Sequence, residues 1–239
     1  MTPLTPRTRE TATPHPTLLH LDSSADLPAD SVSRRLTGLF VSGWRDRHGE
    51  RGHRYRDLSA DPVPPLTPAY TTLGRRVERE GFVPPAKVPA LIADAAEERE
   101  WRQTAPLVDE LLAADTLLLG VPMYNFSVPA SLKAWIDRVT FPGAFTDPDS
   151  GESLLRDTRV ICVLARGGAY GPGTPRERSD FQAPYLRAYF GNLGVTDLTV
   201  VAAELTRVDV LHHLAGLEDL AAASLAGAEE TIRSLVRPA

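Results

Sequence analysis

Apolar residues in this chain follow two alternating rhythms. Short, nearly continuous apolar runs occur at Thr17-Leu-Leu-His-Leu21, Thr116-Leu-Leu-Leu-Gly-Val121, Val160-Ile-Cys-Val-Leu164 and Leu198-Thr-Val-Val-Ala202. Runs of this kind read as strands covered on both faces. Between them the spacing changes to three and four. Ser31 precedes Val32, Leu36, Leu39 and Phe40 as the N-cap of a first helix. Trp101, Ala105, Val108, Leu111 and Leu112 make one helical face, with Pro106 placed in its first turn or at a kink. Val128, Leu132, Trp135, Ile136 and Val139 make another, with Ser127 as N-cap and Pro129 in the first turn. Phe181, Tyr185, Tyr189 and Phe190 mark a further helix, and an Ala/Leu-rich helix closes the chain from about His213 to Val236. A peripheral second strand ends at Tyr55-Arg-Asp-Leu58, followed by the proline-rich loop 62–68. Residues 69–100 predict helical stretches interrupted by Pro84, Pro85 and Pro89.

Strand–helix alternation of this kind implies a parallel sheet with helices on both faces. Five strands fit the flavodoxin-like order 2-1-3-4-5. A length of 239 residues suits one large domain. Residues 1–15, rich in Pro, Thr and Arg, read as a disordered tail before a single domain over 16–239.

Net charge is −5, which argues against a nucleic-acid partner. The charged run 45–56 reads as a solvated loop and strand edge, because Asp46 and Glu50 break it. The first sixteen residues hold four prolines and no apolar core, so they are not a secretory signal. No apolar run approaches the ~20 residues needed to span a bilayer. The expectation is a cytoplasmic protein without a membrane partner. A single cysteine, Cys162, excludes a disulfide framework and multi-cysteine metal sites within one chain. Mid-strand between Ile161 and Val163, it reads as a buried thiol. His212 and His213 are adjacent rather than spaced for metal ligation, so no metal site is expected.

In an open parallel sheet, ligands sit beyond the carboxyl ends of the strands at the switch in strand order. Three turns fall there, after the first, third and fourth strands, and in the order 2-1-3-4-5 these strands are neighbours. In the first turn, Ser24, Ser31 and Ser33 present hydroxyls beside the free N–H groups of a helix start. They hold a phosphate or serve only as caps and turn formers. Neither GxxxxGK[ST] nor GxGxxG follows the first strand, which disfavours a nucleoside triphosphate and a Rossmann-bound dinucleotide. In the second turn, Met123, Tyr124, Asn125 and Phe126 offer donors and flanking rings for a planar heterocycle, although Met123 and Phe126 read equally as core. In the third, Ala165, Arg166, Gly167 and Gly168 remove side-chain bulk where the backbone can approach a ring.

The segment Val-Pro-Met-Tyr-Asn-Phe-Ser (121–127), with Leu-Lys-x-Trp-Ile-Asp (132–137) after it, resembles the FMN-dependent NADH-azoreductase family of flavodoxin-like quinone reductases. Arg166-Gly-Gly168 and the stretch from Pro184-Tyr-Leu186 through Gly191 and Gly194 to Thr196-Asp197 are similar to its further motifs, and the likeness spans roughly 16–236. The resemblance implies a homodimer with one FMN per subunit and active sites at the dimer interface. It places the phosphate end at Ser24, Ser31, Val32 and Ser33. The ring falls at Met123, Tyr124, Asn125 and Phe126, and the pyrimidine side at Ala165, Arg166, Gly167 and Gly168. Three departures stand out: a first loop one residue longer than typical, Leu164-Ala165 where members often carry a serine or a glutamine–alanine pair, and a less aromatic 141–155 loop. The implied activity is ping-pong two-electron reduction of quinones or azo compounds, with NADH or NADPH as donor and no catalytic side chain. The competing readings are an electron carrier without small-molecule turnover and a biosynthetic reductase specialised for one metabolite.

Overall fold

Continuous apolar strands need cover on both sides, and helices supply it on both faces of the sheet. The computed structural model describes residues 16–237. The segment 1–15, expected as a tail, lies outside the described residues. Five parallel strands run in the order β2-β1-β3-β4-β5: β1 Leu18–Asp22, β2 His53–Asp57, β3 Thr116–Pro122, β4 Arg159–Ala165 and β5 Asp197–Ala203. All five residues of β1 are buried, as are all but the first of β3 and of β4. The polar β2 (His-Arg-Tyr-Arg-Asp) and the half-buried β5 take the two edges.

Six α-helices cover the sheet: α1 Val32–His48, α2 Pro68–Arg79, α3 Ala95–Leu112, α4 Ala130–Val139, α5 Ala183–Asn192 and α6 Glu218–Val236. Two buried clusters, one per face, result. Leu36, Phe40 and Trp44 of α1 and Ala228 and Ile232 of α6 pack with Leu18, Leu118, Ile161 and Val163 from the strands. The larger cluster gathers Leu19, Leu117, Leu119, Val160 and Cys162 with residues of the other four helices. Apolar burial at about 25 cal/mol per Å² is the main term favouring this arrangement.

Several boundaries differ from the sequence pattern, each for a local reason. Ser127 does not cap α4. Its N–H donates to Tyr124 O (3.1 Å) and its carbonyl accepts from Tyr124 N (3.0 Å), so it closes a tight turn, and Pro129 occupies the cap position. Pro106 lies in the interior of α3 rather than its first turn, because Asp94 starts that helix a full three turns earlier by accepting from Ala96 N (2.8 Å) and Glu97 N (2.9 Å). The proline-interrupted stretch before it holds α2 and a 3-10 turn over Pro85–Leu91. Phe181 precedes α5 and is exposed. The closing helix begins at Glu218, and His212 and His213 sit in a separate exposed 3-10 turn. Cys162 is fully buried, and burial pushes its thiol up to about 12.

Candidate functional site

Strands β1, β3 and β4 are neighbours and end at one edge, so the chain segments that follow them must meet there. They enclose a cavity of about 610 Å³, lined by Ser31, Val32 and Ser33, by Pro122 to Phe126, and by Ala165, Gly167 and Gly168. That size lies within the roughly 300–1,000 Å³ of small-molecule sites. Direct bonds tie the segments together. Ala25 N donates to the Tyr124 hydroxyl (3.0 Å), joining the first turn to the second, and Met123 N donates to Ala165 O (2.8 Å), joining the second to the third.

The wall is rich in unused backbone donors. A helix leaves its first N–H groups without intrahelical acceptors, and in α1 the Ser31 hydroxyl takes only that of Arg34 (3.4 Å). The N–H groups of Val32 and Ser33 have no acceptor among the described residues. In the second turn, Asn125 (φ 48°) and Phe126 (φ 71°) both adopt left-handed backbone. Tyr124 and Ser127 bond to each other across this turn, leaving the N–H groups of Asn125 and Phe126 without an acceptor among the described residues. Among the described residues those of Gly167 and Gly168 have no acceptor either. Six donors from three segments thus border one cavity, with the Ser31 and Ser33 hydroxyls in mutual contact (3.2 Å) at the α1 end. Donors at a helix start suit an anion, and donors along a turn suit the polar edge of a heterocycle.

Two of the residues singled out from sequence face elsewhere. Ser24 is fully buried, its hydroxyl accepting from Asp26 N (3.2 Å) and its carbonyl from Arg34 Nη2 (2.7 Å). Ser23, one residue earlier, donates its hydroxyl to Gly120 O (2.8 Å). The Arg166 side chain is buried away from the cavity, paired with Asp180 (2.8 Å) and Glu204 (3.0 Å) and bonded to Gln182 (3.2 Å). Gln182 donates in turn to Val121 O (3.1 Å), so Arg166 clamps the far side of the wall to β3. The glycines beside it make room for side chains. A Cβ on Gly167 would come 3.1 Å from Arg207 Cδ, and one on Gly168 3.3 Å from the Tyr170 ring.

A second clamp fixes the first turn. Arg34 donates through both Nη atoms to Asp57 (2.8 Å each) and through Nη1 to the Tyr55 hydroxyl (2.9 Å), besides holding Ser24 O. Buried Asp22 lies behind it, accepting from Thr37 Oγ1 (3.0 Å) and the Tyr55 hydroxyl (3.2 Å). The hydrogen bond from Arg34 holds the Asp57 carboxyl below the usual carboxylate range, and Asp57 raises Arg34 in return. Burial, reinforced by Asp22, pushes the Tyr55 phenol up to about 12.

The cavity also includes residues that the three-turn reading overlooked. Asp26 and Asp30 border the first turn, while Tyr170, Arg176, Thr206, Arg207, Leu211 and His213 come from the loops after β4 and β5. Strand β5 pairs with β4, so its following loop reaches the same edge, and the rule that located three turns applies equally to this fourth one.

The chain is similar to known proteins over nearly its whole length. The profile of the family described as "Flavodoxin-like fold" matches residues 16–226. The chain is 42% identical over 221 residues to a protein of Nocardia farcinica named FMN-dependent NADH:quinone oxidoreductase, covering 92% of this chain and 97% of that one. A protein of the same name from Nostoc is 36% identical over 222 residues, covering 92% and 97%. Among solved structures, an azoreductase of Bacillus anthracis superposes with a TM-score of 0.75 at 18% identity, covering 92% of this chain and 98% of that one. An FMN-dependent NADH-azoreductase of Bacillus anthracis in complex with FMN gives 0.71 at 17%, covering 93% and 100%. At these identities the structural likeness concerns the fold.

Proposed function

This chain belongs to the flavodoxin-like fold family, and from that premise we propose that it is an FMN-dependent NADH:quinone oxidoreductase that also reduces azo compounds. The observation that carries the reading is the set of six unclaimed backbone N–H groups around one cavity, together with relatives of that name aligned over nearly the whole chain. Ser31, Val32 and Ser33 would hold the FMN phosphate at the start of α1. Met123, Tyr124, Asn125 and Phe126 would flank and bond the ring, and Ala165, Gly167 and Gly168 its pyrimidine side. Ser24 and Arg166 support this wall from behind rather than touching the cofactor.

When bound, FMN supplies the redox chemistry, receiving two electrons as hydride from NADH and passing them to the acceptor. The protein's part is orientation and polarity. Left-handed Asn125 and Phe126 turn their N–H groups out of any ladder, where they donate to an electron-rich edge without reorganising. Phe126 is 45% exposed and lies edge-on to Tyr170 at 6.2 Å, giving the mouth an apolar surface for a planar acceptor. No side chain is assigned as an acid, since the mouth opens to solvent that supplies the acceptor's proton. A carrier that only docks to other proteins is disfavoured, because the mouth carries Arg176 and Arg207 as well as Asp26 and Asp30 rather than one acidic face.

We place the enzyme in the cytoplasm, where its donor is found, and as a homodimer. An open groove beside the cavity, between Tyr124, Val128, Ala130, Lys133 and Tyr185, and the half-buried Leu198 and Val200 leave apolar surface for a second copy. Steady-state kinetics with varied NADH and benzoquinone test the activity. Parallel double-reciprocal lines are expected, because donor and acceptor use the same mouth in turn. Converging lines would contradict it.

A further inference from the structure

The cavity's two lining guanidiniums lie away from the place where one FMN phosphate would be met. The cofactor's single phosphate is met at the start of α1, on the β1 side. Arg176, from the loop after β4, and Arg207, from the loop after β5, line the same cavity on the other side, as does His213. Asp26 and Asp30 line the cavity at its β1 end and Asp209 is exposed in the loop after β5, while three other carboxylates of the loops after β4 and β5 are engaged. Asp180 and Glu204 pair with Arg166, Glu204 also accepts from Tyr170 N (2.9 Å), and Glu177 accepts from Gly173 N (2.8 Å). Among the described residues neither Arg176 nor Arg207 has an ion-pair or side-chain hydrogen-bond partner, unlike Arg166 next to them. The Arg207 stem lies against Gly167, which has no side chain to displace it. Two unpaired guanidiniums at one mouth are a ready fork for phosphate oxygens.

We propose that Arg176 and Arg207 form an anion subsite that takes the diphosphate of the nicotinamide donor while the dihydronicotinamide lies over the ring. This rests on the oxidoreductase reading and adds a division of labour. One end of the cavity holds the cofactor's phosphate permanently, and the other holds the donor's diphosphate for a single half-reaction. The ligand chemistry is an anion whose charge is spread over several oxygens, here the donor's doubly anionic diphosphate, and the test separates it from a sulfonate or carboxylate on the acceptor.

The test uses the FMN-reconstituted full chain as wild type, R176Q, R207Q and the double variant. Flavin reduction is followed anaerobically with NADH and with reduced nicotinamide riboside, which lacks the diphosphate. The double variant is expected to lose tenfold or more in the second-order rate of reduction by NADH and less than twofold with the riboside. Raising ionic strength should slow NADH with wild type and leave the double variant nearly unchanged. FMN affinity, measured by fluorescence, should stay within twofold, which separates a donor subsite from a loss of fold. Equal losses with both donors would overturn the proposal. A loss seen only in reoxidation by anthraquinone-2-sulfonate, and not by benzoquinone or in reduction by NADH, would overturn it too. Failure of wild type to be reduced by either donor would instead overturn the oxidoreductase reading itself.

Discussion

Arg34 shows how one side chain in the first turn of a helix can organise a binding loop without facing the ligand. Its guanidinium joins α1, β2 and the carbonyl of Ser24. Replacing it by glutamine removes charged hydrogen bonds, each worth about 1.5–3 kcal/mol. R34Q should therefore lower stability at neutral pH by about 2 kcal/mol in urea titration and weaken FMN binding through the loosened 24–31 turn. The sign with pH follows from Asp57, whose folded pKa is depressed by Arg34. Its contribution is fully present above the unfolded value near 3.9 and is lost as pH falls through the lower folded value. The gap between wild type and R34Q should close as pH drops below about 4. A gap that persists unchanged at pH 2 would show that the clamp is not ionic. None of this was legible beforehand, since Arg34 sits in a run of serines and arginines whose partners, Asp57 and Tyr55, depend on the pairing of β1 with β2.

At the scale of elements, the Met123–Ser127 turn is the most informative. Its residues were legible as a site because they follow a continuous apolar strand. Its conformation was not, because left-handed backbone at Asn125 and Phe126 is invisible to hydrophobic period. Asn tolerates φ 48° where a β-branched residue does not, at a cost of about 1–2 kcal/mol. N125V should thus weaken FMN binding and lower the melting temperature, whereas N125G should retain the fold and lose only the side-chain amide. Equal behaviour of the two variants in a thermal melt would contradict the backbone argument. The same distinction explains the helix starts. Ser31 was readable as a cap because it precedes a helical period directly, while Ser127 has a cap's chemistry but is spent closing the turn. In α3, the Pro106 signal concealed a start that Asp94 sets twelve residues earlier.

For the whole molecule, strand order was legible because strand–helix alternation with five strands fits the order 2-1-3-4-5, whereas the fifth strand's apolar run, read as covered on both faces, is a half-buried edge opposite the polar His53–Asp57. The meeting of the first, third and fourth strand ends then follows from topology alone. The same rule reaches the β5 loop, where Thr206 and Arg207 border the cavity, although the three-turn reading stopped short of it. What topology did not assign was which hydroxyl and guanidinium turn inward and which brace the wall from outside. The central claim is that the convergent turns hold a flavin that passes two electrons from donor to acceptor. The most direct measurement is the visible spectrum of FMN-reconstituted protein under anaerobic conditions, first with one equivalent of NADH and then with one of benzoquinone. The account predicts a retained yellow chromophore that bleaches with the first addition and returns in full with the second. A protein that fails to retain FMN, or retains it but leaves it oxidised in excess NADH, would contradict it.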